Sequence, residues 1–338
     1  MGNISQNAHL SCAPMMDWTD RHQRRFMRAI APRTLLFTEM VTSGAILHGD
    51  QERHLAYSTE EHPIALQLGG SEPDDLARAT EIANGYGYDE INLNCGCPSD
   101  RVQSGRFGAC LMEEPEHVAK LVKAMAGATD TPVTVKCRIG IDDSDTGPFL
   151  DRFVDAVIEA GANRLYIHAR KAWLKGLSPK ENRDVPPLDY DRVRALKARL
   201  PEIEIVLNGG LSSLGEIEAA IVPKGDLPAL DGVMIGREAY QNPLFMAAAE
   251  QALFGASVTE PPSKILNGLD SYVAERIAAG TPLKSITRHL MGLMNGRPGA
   301  RAWRRFLSAI PQSPEIGWAD VVEKAAEIDA GVTGRQAA

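Results

Sequence analysis

Two thiols lie one residue apart in Cys95-Gly96-Cys97, and Pro98 follows at once. A C-x-C pair without a second cysteine pair is a poor zinc signature, and His168 alone could help complete such a site, so no metal is expected. Burial as a small hydrophobe is the ordinary fate of cysteine and suits Cys12, Cys110 and Cys137. Cys97 stands apart. It falls in a loop fixed by Pro98, where a thiol could give a proton to a bound substrate.

Polar residues also close a series of short apolar runs. In chain order they are Pro14-Met15-Met16-Asp17, Thr38-Glu39, Gln67, Asn92 with Asn94, Lys136 with Arg138, His168 with Arg170, Asn208-Gly209-Gly210 and Gly236-Arg237. One such residue is an ordinary cap. Eight in succession would all need partners in one small mouth, a difficulty that a bound polar ligand removes. The last two sites read as a phosphate cup, because glycines let backbone approach closely and helix amino termini offer N–H groups to an anion. Arg237 could add a charge-assisted bond; ordinary turn glycines are the alternative. Lys136 needs an anionic or acceptor partner. Glu39 would serve, and so would the negative charge of a reduced flavin ring, with Gln67 on its pyrimidine edge.

The elements that must position these groups are eight apolar runs, at 10–13, 35–38, 64–68, 90–94, 133–137, 164–168, 204–208 and 232–235. They are continuous rather than alternating, as parallel strands buried on both faces should be. Amphipathic stretches lie between them, at 73–84, 115–126, 149–160 and 215–220. This α/β alternation predicts a (β/α)8 TIM barrel with its chemistry at the carboxyl ends of the strands. No G-x-G-x-x-G opens a helix after the first run, which disfavours an open doubly wound sheet. Strand runs end near Pro243. Helical stretches at 266–278, 286–295 and 300–307 predict a small C-terminal helical domain, with Pro261-Pro262 marking a break. The expected division is 1–245 for the barrel and 246–338 for the helices.

The chain has 338 residues, 44% hydrophobic, and suits a barrel with an appendage. Five cysteines, an odd number, without a basic-then-apolar leader in residues 1–20 argue for reduced thiols in a cytoplasm. No run is long enough to span a bilayer, so a soluble protein is expected. The net charge of -8 is unevenly spread: residues 276–314 contain no Asp or Glu but hold Arg276, Lys284, Arg288, Arg297, Arg301, Arg304 and Arg305. Such a segment can hold a polyanion, or it is a solvated basic face. Arg301, Arg304 and Arg305 are spaced to share one helix face.

Several long segments resemble the tRNA-dihydrouridine synthase family, specifically its A subfamily, the tRNA-dihydrouridine(20/20a) synthases. They include APMMDWTDRHQRRF at 13–26, DEINLNCGCPSDRVQSGRFGACLM at 89–112, VTVKCRIGIDD at 133–143, IHARKAWLKGLSPKENRDVPPLDY at 167–190, LNGG at 207–210, DGVMIGREAYQNP at 231–243 and ITRHLMGLMNGRPGARAWRR at 286–305. The resemblance implies an FMN-binding barrel followed by a helical tRNA-binding domain. It implies FMN contacts from Pro14, Met15, Met16, Gln67, Lys136, His168, Asn208, Gly209, Gly210, Gly236 and Arg237. By analogy NADPH reduces the flavin, a hydride passes to C6 of uracil, and Cys97 protonates C5. Cys95 stands where a small apolar residue is common. Asn94 and Arg170 would hold the uracil edge, while Lys180, Arg183, Arg301 and Arg304 would contact tRNA, read mainly by backbone and shape. No obligate protein partner is implied, and oligomeric state is left open.

Two rivals of different kinds remain at this point. An FMN barrel oxidoreductase acting on a small molecule, such as a dihydroorotate-dehydrogenase-like enzyme, would share the flavin site but has no use for the basic helical tail. An RNA-binding protein that has lost catalysis would need neither Cys97 nor a flavin.

Overall fold

The structure, a computed structural model, describes residues 9–99, 105–255, 260–313 and 315–336. Residues 1–8, residues 100–104 of the 89–112 motif, and residues 256–259 near the expected break lie outside the described residues. The chain divides into two compact units: Met1–Asp17 with Leu35–Gly236, and Trp18–Thr34 with Arg237–Ala338.

The first unit is a closed barrel of eight parallel strands in sequence order. These are β1 (His9–Cys12), β2 (Leu35–Thr42), β3 (Ile64–Gly69), β4 (Glu90–Cys95), β5 (Val133–Arg138), β6 (Arg164–His168), β7 (Glu204–Asn208) and β8 (Gly232–Ile235). The (β/α)8 reading is borne out, and each strand falls on an expected run. β2 runs further than read because its register shifts between Phe37 and Met40, which carries it past the polar Thr38-Glu39. Helices follow the strands where amphipathic periodicity placed them. Proline opens Pro73–Asn84 and Pro115–Ala126, where its missing N–H costs nothing. Asp145 caps Thr146–Glu159, and Ser213 with Glu216 forms a capping box for Leu214–Ile221.

The barrel closes where β8 meets β1, His9 opposite Gly232. A Cβ at Gly232 would collide with the His9 backbone, so only glycine lets this seam shut. Ala13, Phe37, Ala65, Tyr166, Val206 and Met234 form a buried cluster, small residues alternating with large.

The second unit is helical and takes in the helix Arg21–Ile30, early in the chain. Asp20 caps that helix through His22 and Gln23 N–H, and its second oxygen accepts from Arg288 at 2.6 Å and His289 at 3.0 Å. Burial pushes the Asp20 carboxyl up, but His289, the Gln23 N–H and Arg288 outweigh it and hold the carboxyl well below the usual range. Glu250 likewise receives the N–H groups of Arg33 and Thr34. The stretch read as one helix at 266–278 is two, Pro262–Asn267 and Asp270–Ala278, divided at Gly268. The 286–295 stretch is Leu283–Thr287 followed by tight turns. Gly292 there lies against the Tyr240 and Gln241 backbone, a close approach that no side chain would permit. Ala300–Ala309 forms as expected, and Trp318–Gln336 was not foreseen. No described helix is long and apolar enough to cross a membrane.

Candidate active site

Strand alternation places Asn94, Lys136, Arg138, His168 and Asn208 near the carboxyl ends of neighbouring strands, with Asn94 in register with Lys136 and His168 with both Arg138 and Asn208. Lys136 Nζ reaches from β5 to donate to Asn208 Oδ1 at 2.9 Å, and Asn208 donates in turn to the Met234 carbonyl. It does not pair with Glu39, and no ion pair joins it to a carboxylate among the described residues. Burial, with Arg138 beside it, pushes the ammonium down to about 8. A cation held only by a neutral amide is what an anionic ligand would answer.

Arg138 is buried and wholly engaged with backbone. It donates to the carbonyls of Gly96 at 2.9 Å, Lys171 at 3.0 Å and Asn182 at 2.9 Å. Burial and the nearby cations Arg183 and Arg170 lower it to about 10. Its work is to tie the turn after β4 to the long loop after β6. Asn182, fully buried, staples that loop from inside through the N–H of Trp173 and the carbonyls of Trp173 and Leu177.

The two thiols part company. Cys95 is buried in β4, in register with Cys137, and its pKa is raised well above the ordinary range by burial, with Cys137 and Cys110 nearby. Cys137 is pushed up to about 12 for the same reason. Cys97 is partly exposed, with its thiol 3.5 Å from Ser99 Oγ. Its backbone is clamped on both sides: its N–H donates to Asn94 Oδ1 at 3.0 Å, and its carbonyl accepts from Ala109 at 2.9 Å. Cys110, expected inside, is partly exposed and donates to the Phe107 carbonyl. Among the described residues no cluster of His, Cys, Asp and Glu is arranged to hold a metal.

Gly209 and Gly210 both adopt positive φ, 112° and 72°. A Cβ on Gly210 would sit 2.5 Å from Leu188, so this turn must remain bare backbone. The start of the following helix already holds a negative charge, since the Glu216 carboxylate accepts the N–H groups of Ser212 and Ser213 there. What this segment offers an anion is therefore the glycine turn rather than the helix cap. Gly236 follows β8, where an added Cβ would make only an ordinary contact with Ala13 at 4.0 Å, and Arg237 begins the second unit as the first residue of Arg237–Gln241. Pro14 and Met15 are half-buried and Met16 is 56% exposed, an apolar tip on the loop after β1. These residues fit a phosphorylated, negatively charged ring.

Arg170 donates to the Pro186 carbonyl of its own loop, and Lys180 and Arg183 lie exposed on the same loop. In the second unit the basic stretch is partly neutralised: Arg276 pairs with Glu275, Arg288 with Asp20 and Arg297 with Asp329. Arg301, Arg304 and Arg305 are exposed on one helix, anchored from behind by Trp303, whose indole N–H donates to the Leu290 carbonyl.

Glu90, Thr134 and Asn182 did not stand out as site residues in the sequence. The first two sit in apolar runs at alternate positions with Asn92 and Lys136, which was the available sign that they face inward.

Barrels of this build react at the carboxyl ends of their strands. With a reachable thiol and an unneutralised cation at that end, fold and site together define a (β/α)8-barrel enzyme. Comparison with known proteins sharpens this. The family model described as Dihydrouridine synthase (Dus) matches residues 11–328. Among similar proteins, a tRNA-dihydrouridine(20/20a) synthase of Shewanella oneidensis is 54% identical over 311 residues, 90% of this chain and 91% of that protein. Proteins of the same name from Vibrio cholerae, 52% identical over 324 residues (95% and 97%), and Escherichia coli strain K12, 53% over 308 (90% and 87%), are similarly alike. The chain belongs to the dihydrouridine synthase family, and the resemblance read from its motifs is borne out.

Proposed function

We propose that this protein reduces uridine to dihydrouridine in the tRNA D-loop, at the positions 20 and 20a that its relatives' names carry. FMN would sit at the barrel mouth. Lys136 would face its negative ring charge and Gln67 its pyrimidine edge. Gly209, Gly210 and Gly236 would take its phosphate, and Pro14, Met15, Met16, His168 and Asn208 would line the cavity. When bound and reduced by NADPH, the flavin supplies a hydride to C6 of uracil. Cys97 gives the thiol proton to C5, so one C–H bond forms on each carbon as the double bond is lost, and the thiolate regains its proton from solvent. Asn94, with Arg170, would hold the uracil edge once the base has left its stack, a step costing a few kcal/mol. On the barrel Lys180 and Arg183, and on the helical unit Arg301 and Arg304, would hold tRNA phosphates. We also propose that the helical unit is the tRNA-binding domain and that the enzyme works in the cytoplasm.

The contrast between thiols carries this reading: of two cysteines one residue apart, Cys95 is sealed at the end of β4 and Cys97 is reachable beside Asn94. Mass mapping of tRNA from cells lacking the protein should show dihydrouridine lost at 20 and 20a, and the purified protein should show flavin absorption and restore the modification with NADPH. Dihydrouridine persisting there, together with a colourless inactive protein, would end the proposal.

A further inference from the structure

A line of hydrogen bonds runs up the inside of the barrel to the Cys97 turn. Cys97 N–H donates to Asn94 Oδ1 at 3.0 Å, as does Gly96 N–H. Asn94 Nδ2 donates to Gln67 Oε1 at 2.8 Å, Gln67 Nε2 to Asn92 Oδ1 at 2.8 Å, and Asn92 Nδ2 to Thr134 Oγ1 at 2.8 Å. The Thr134 hydroxyl donates to Glu90 Oε1 at 2.6 Å. Gln67, Asn92, Thr134 and Glu90 are all at most 2% exposed.

The two ends dictate the sense of every link. Backbone N–H groups can only donate. At the other end Glu90 Oε2 is held by Arg164 at 2.6 Å and by the Tyr166 hydroxyl at 3.0 Å, so the carboxylate accepts. Between these ends stand three amides and one hydroxyl. Each must turn its oxygen toward Cys97 and its donor toward Glu90. A side-chain amide placed alone could flip at little cost; here a flip would set donor against donor and leave buried groups without partners. Gln67 is left with one N–H and one carbonyl lone pair, a donor and an acceptor side by side. That is the complement of an imide edge, an N–H flanked by a carbonyl.

We infer that Glu90, Thr134 and Asn92 are positioning residues. They fix the amide orientation of Gln67 and Asn94, and through Asn94 the turn that carries the Cys97 thiol. They touch neither thiol nor ligand themselves. The flavin half of this inference rests on the proposed function; the thiol half does not.

The experiment uses full-length protein as purified, with Thr134→Val and Asn92→Leu as isosteric breaks and Thr134→Ser as the restoring variant. One arm reads the Cys97 thiol by its iodoacetamide alkylation rate, with Cys97→Ala identifying the signal. The other reads the absorption maximum and midpoint potential of bound flavin. Thr134→Val and Asn92→Leu should change the alkylation rate severalfold and shift both flavin properties, and Thr134→Ser should return them to the unaltered values. Unchanged alkylation and unchanged flavin properties in folded Thr134→Val and Asn92→Leu overturn the inference. A protein that carries no flavin but whose thiol responds as expected rejects the proposed function and supports the string. Should the apolar variants not fold, the unaltered protein decides: its Asn92 and Gln67 side-chain amides, labelled with nitrogen-15, should exchange with solvent at least about 100-fold slower than an exposed amide, and exchange at the exposed rate overturns the inference.

Discussion

The two ends of the barrel treat charge in opposite ways. At the amino end Arg164 is enclosed by carboxylates, 2.6 Å from both Glu90 and Glu204, with His9 3.1 Å from Glu204. Burial pushes the Glu90 carboxyl up while Arg164 opposes it, and the arginine is held charged. At the carboxyl end Lys136 meets an amide and Arg138 meets carbonyls. One end has satisfied its charges internally; the other has kept cations, Lys136 and Arg138, that no carboxylate among the described residues neutralises. Conserving stability and awaiting a ligand are thus separated by the length of a strand, as expected of barrels that build their sites on the carboxyl face.

The sharpest break in this comparison comes from two substitutions of similar size read on different scales. Cys97→Ala should lower dihydrouridine formation by about 10²–10⁴-fold, the usual worth of a positioned acid, with stability changed by less than about 0.5 kcal/mol. Cys95→Ala should keep activity and lose about 1 kcal/mol of stability from the vacated packing. Mass spectrometry of tRNA digests and denaturant unfolding separate the two. At the opposite end, Arg164→Met strands the Glu90 charge and should cost about 3–5 kcal/mol in unfolding free energy. A loss near zero would erase the distinction between the ends.

Lys136→Met sharpens the contrast by its sign. With the folded pKa lowered from 10.5 to about 8, the unfolded chain keeps a proton that the folded chain has released between those values. Flavin-free protein should therefore gain stability as pH rises through that window, and below it the charged lysine is a cost. That cost is about 3 kcal/mol for full enclosure and about half that at an open mouth. Lys136→Met should stabilise flavin-free protein by about 1–2 kcal/mol at pH 7, flatten the rise between pH 8 and 10.5, and lose flavin. Destabilisation at pH 7 would mean the lysine is satisfied without a ligand. The smallest effect is expected at the surface of the helical unit. Arg301→Ala with Arg304→Ala should weaken tRNA binding and reduce its salt slope by about 1.5–2, two phosphate contacts' worth, at unchanged stability.

Most of the barrel was legible because its strands are unbroken apolar runs closed by Gly, Asn or charged residues, and the mouth because those closing residues are polar where caps would not need to be. Residues that work at a distance left no local mark. Thr134 reads as a β-branched strand residue, and its use depends on Glu90, 44 positions away. Asp20 looks like a helix cap, which it is; its bond to Arg288 joins residues 268 positions apart. The 283–298 region misled periodicity because Gly292 and Gly296 interrupt an otherwise helical pattern, one for a close backbone approach and one at positive φ.

The glycine at the seam has a consequence for how tolerance to substitution is interpreted. A library screened for activity and covering every amino acid at each site should leave position 232 as empty of active variants as position 97, although Gly232 opens β8 at the end opposite the strands' carboxyl termini. Gly44, with open space around its Cα and ordinary φ, should fill with alternatives. Intolerance alone marks two unlike necessities, a reaction and a closure. Folded but inactive variants belong to the first, and absence from the soluble fraction belongs to the second.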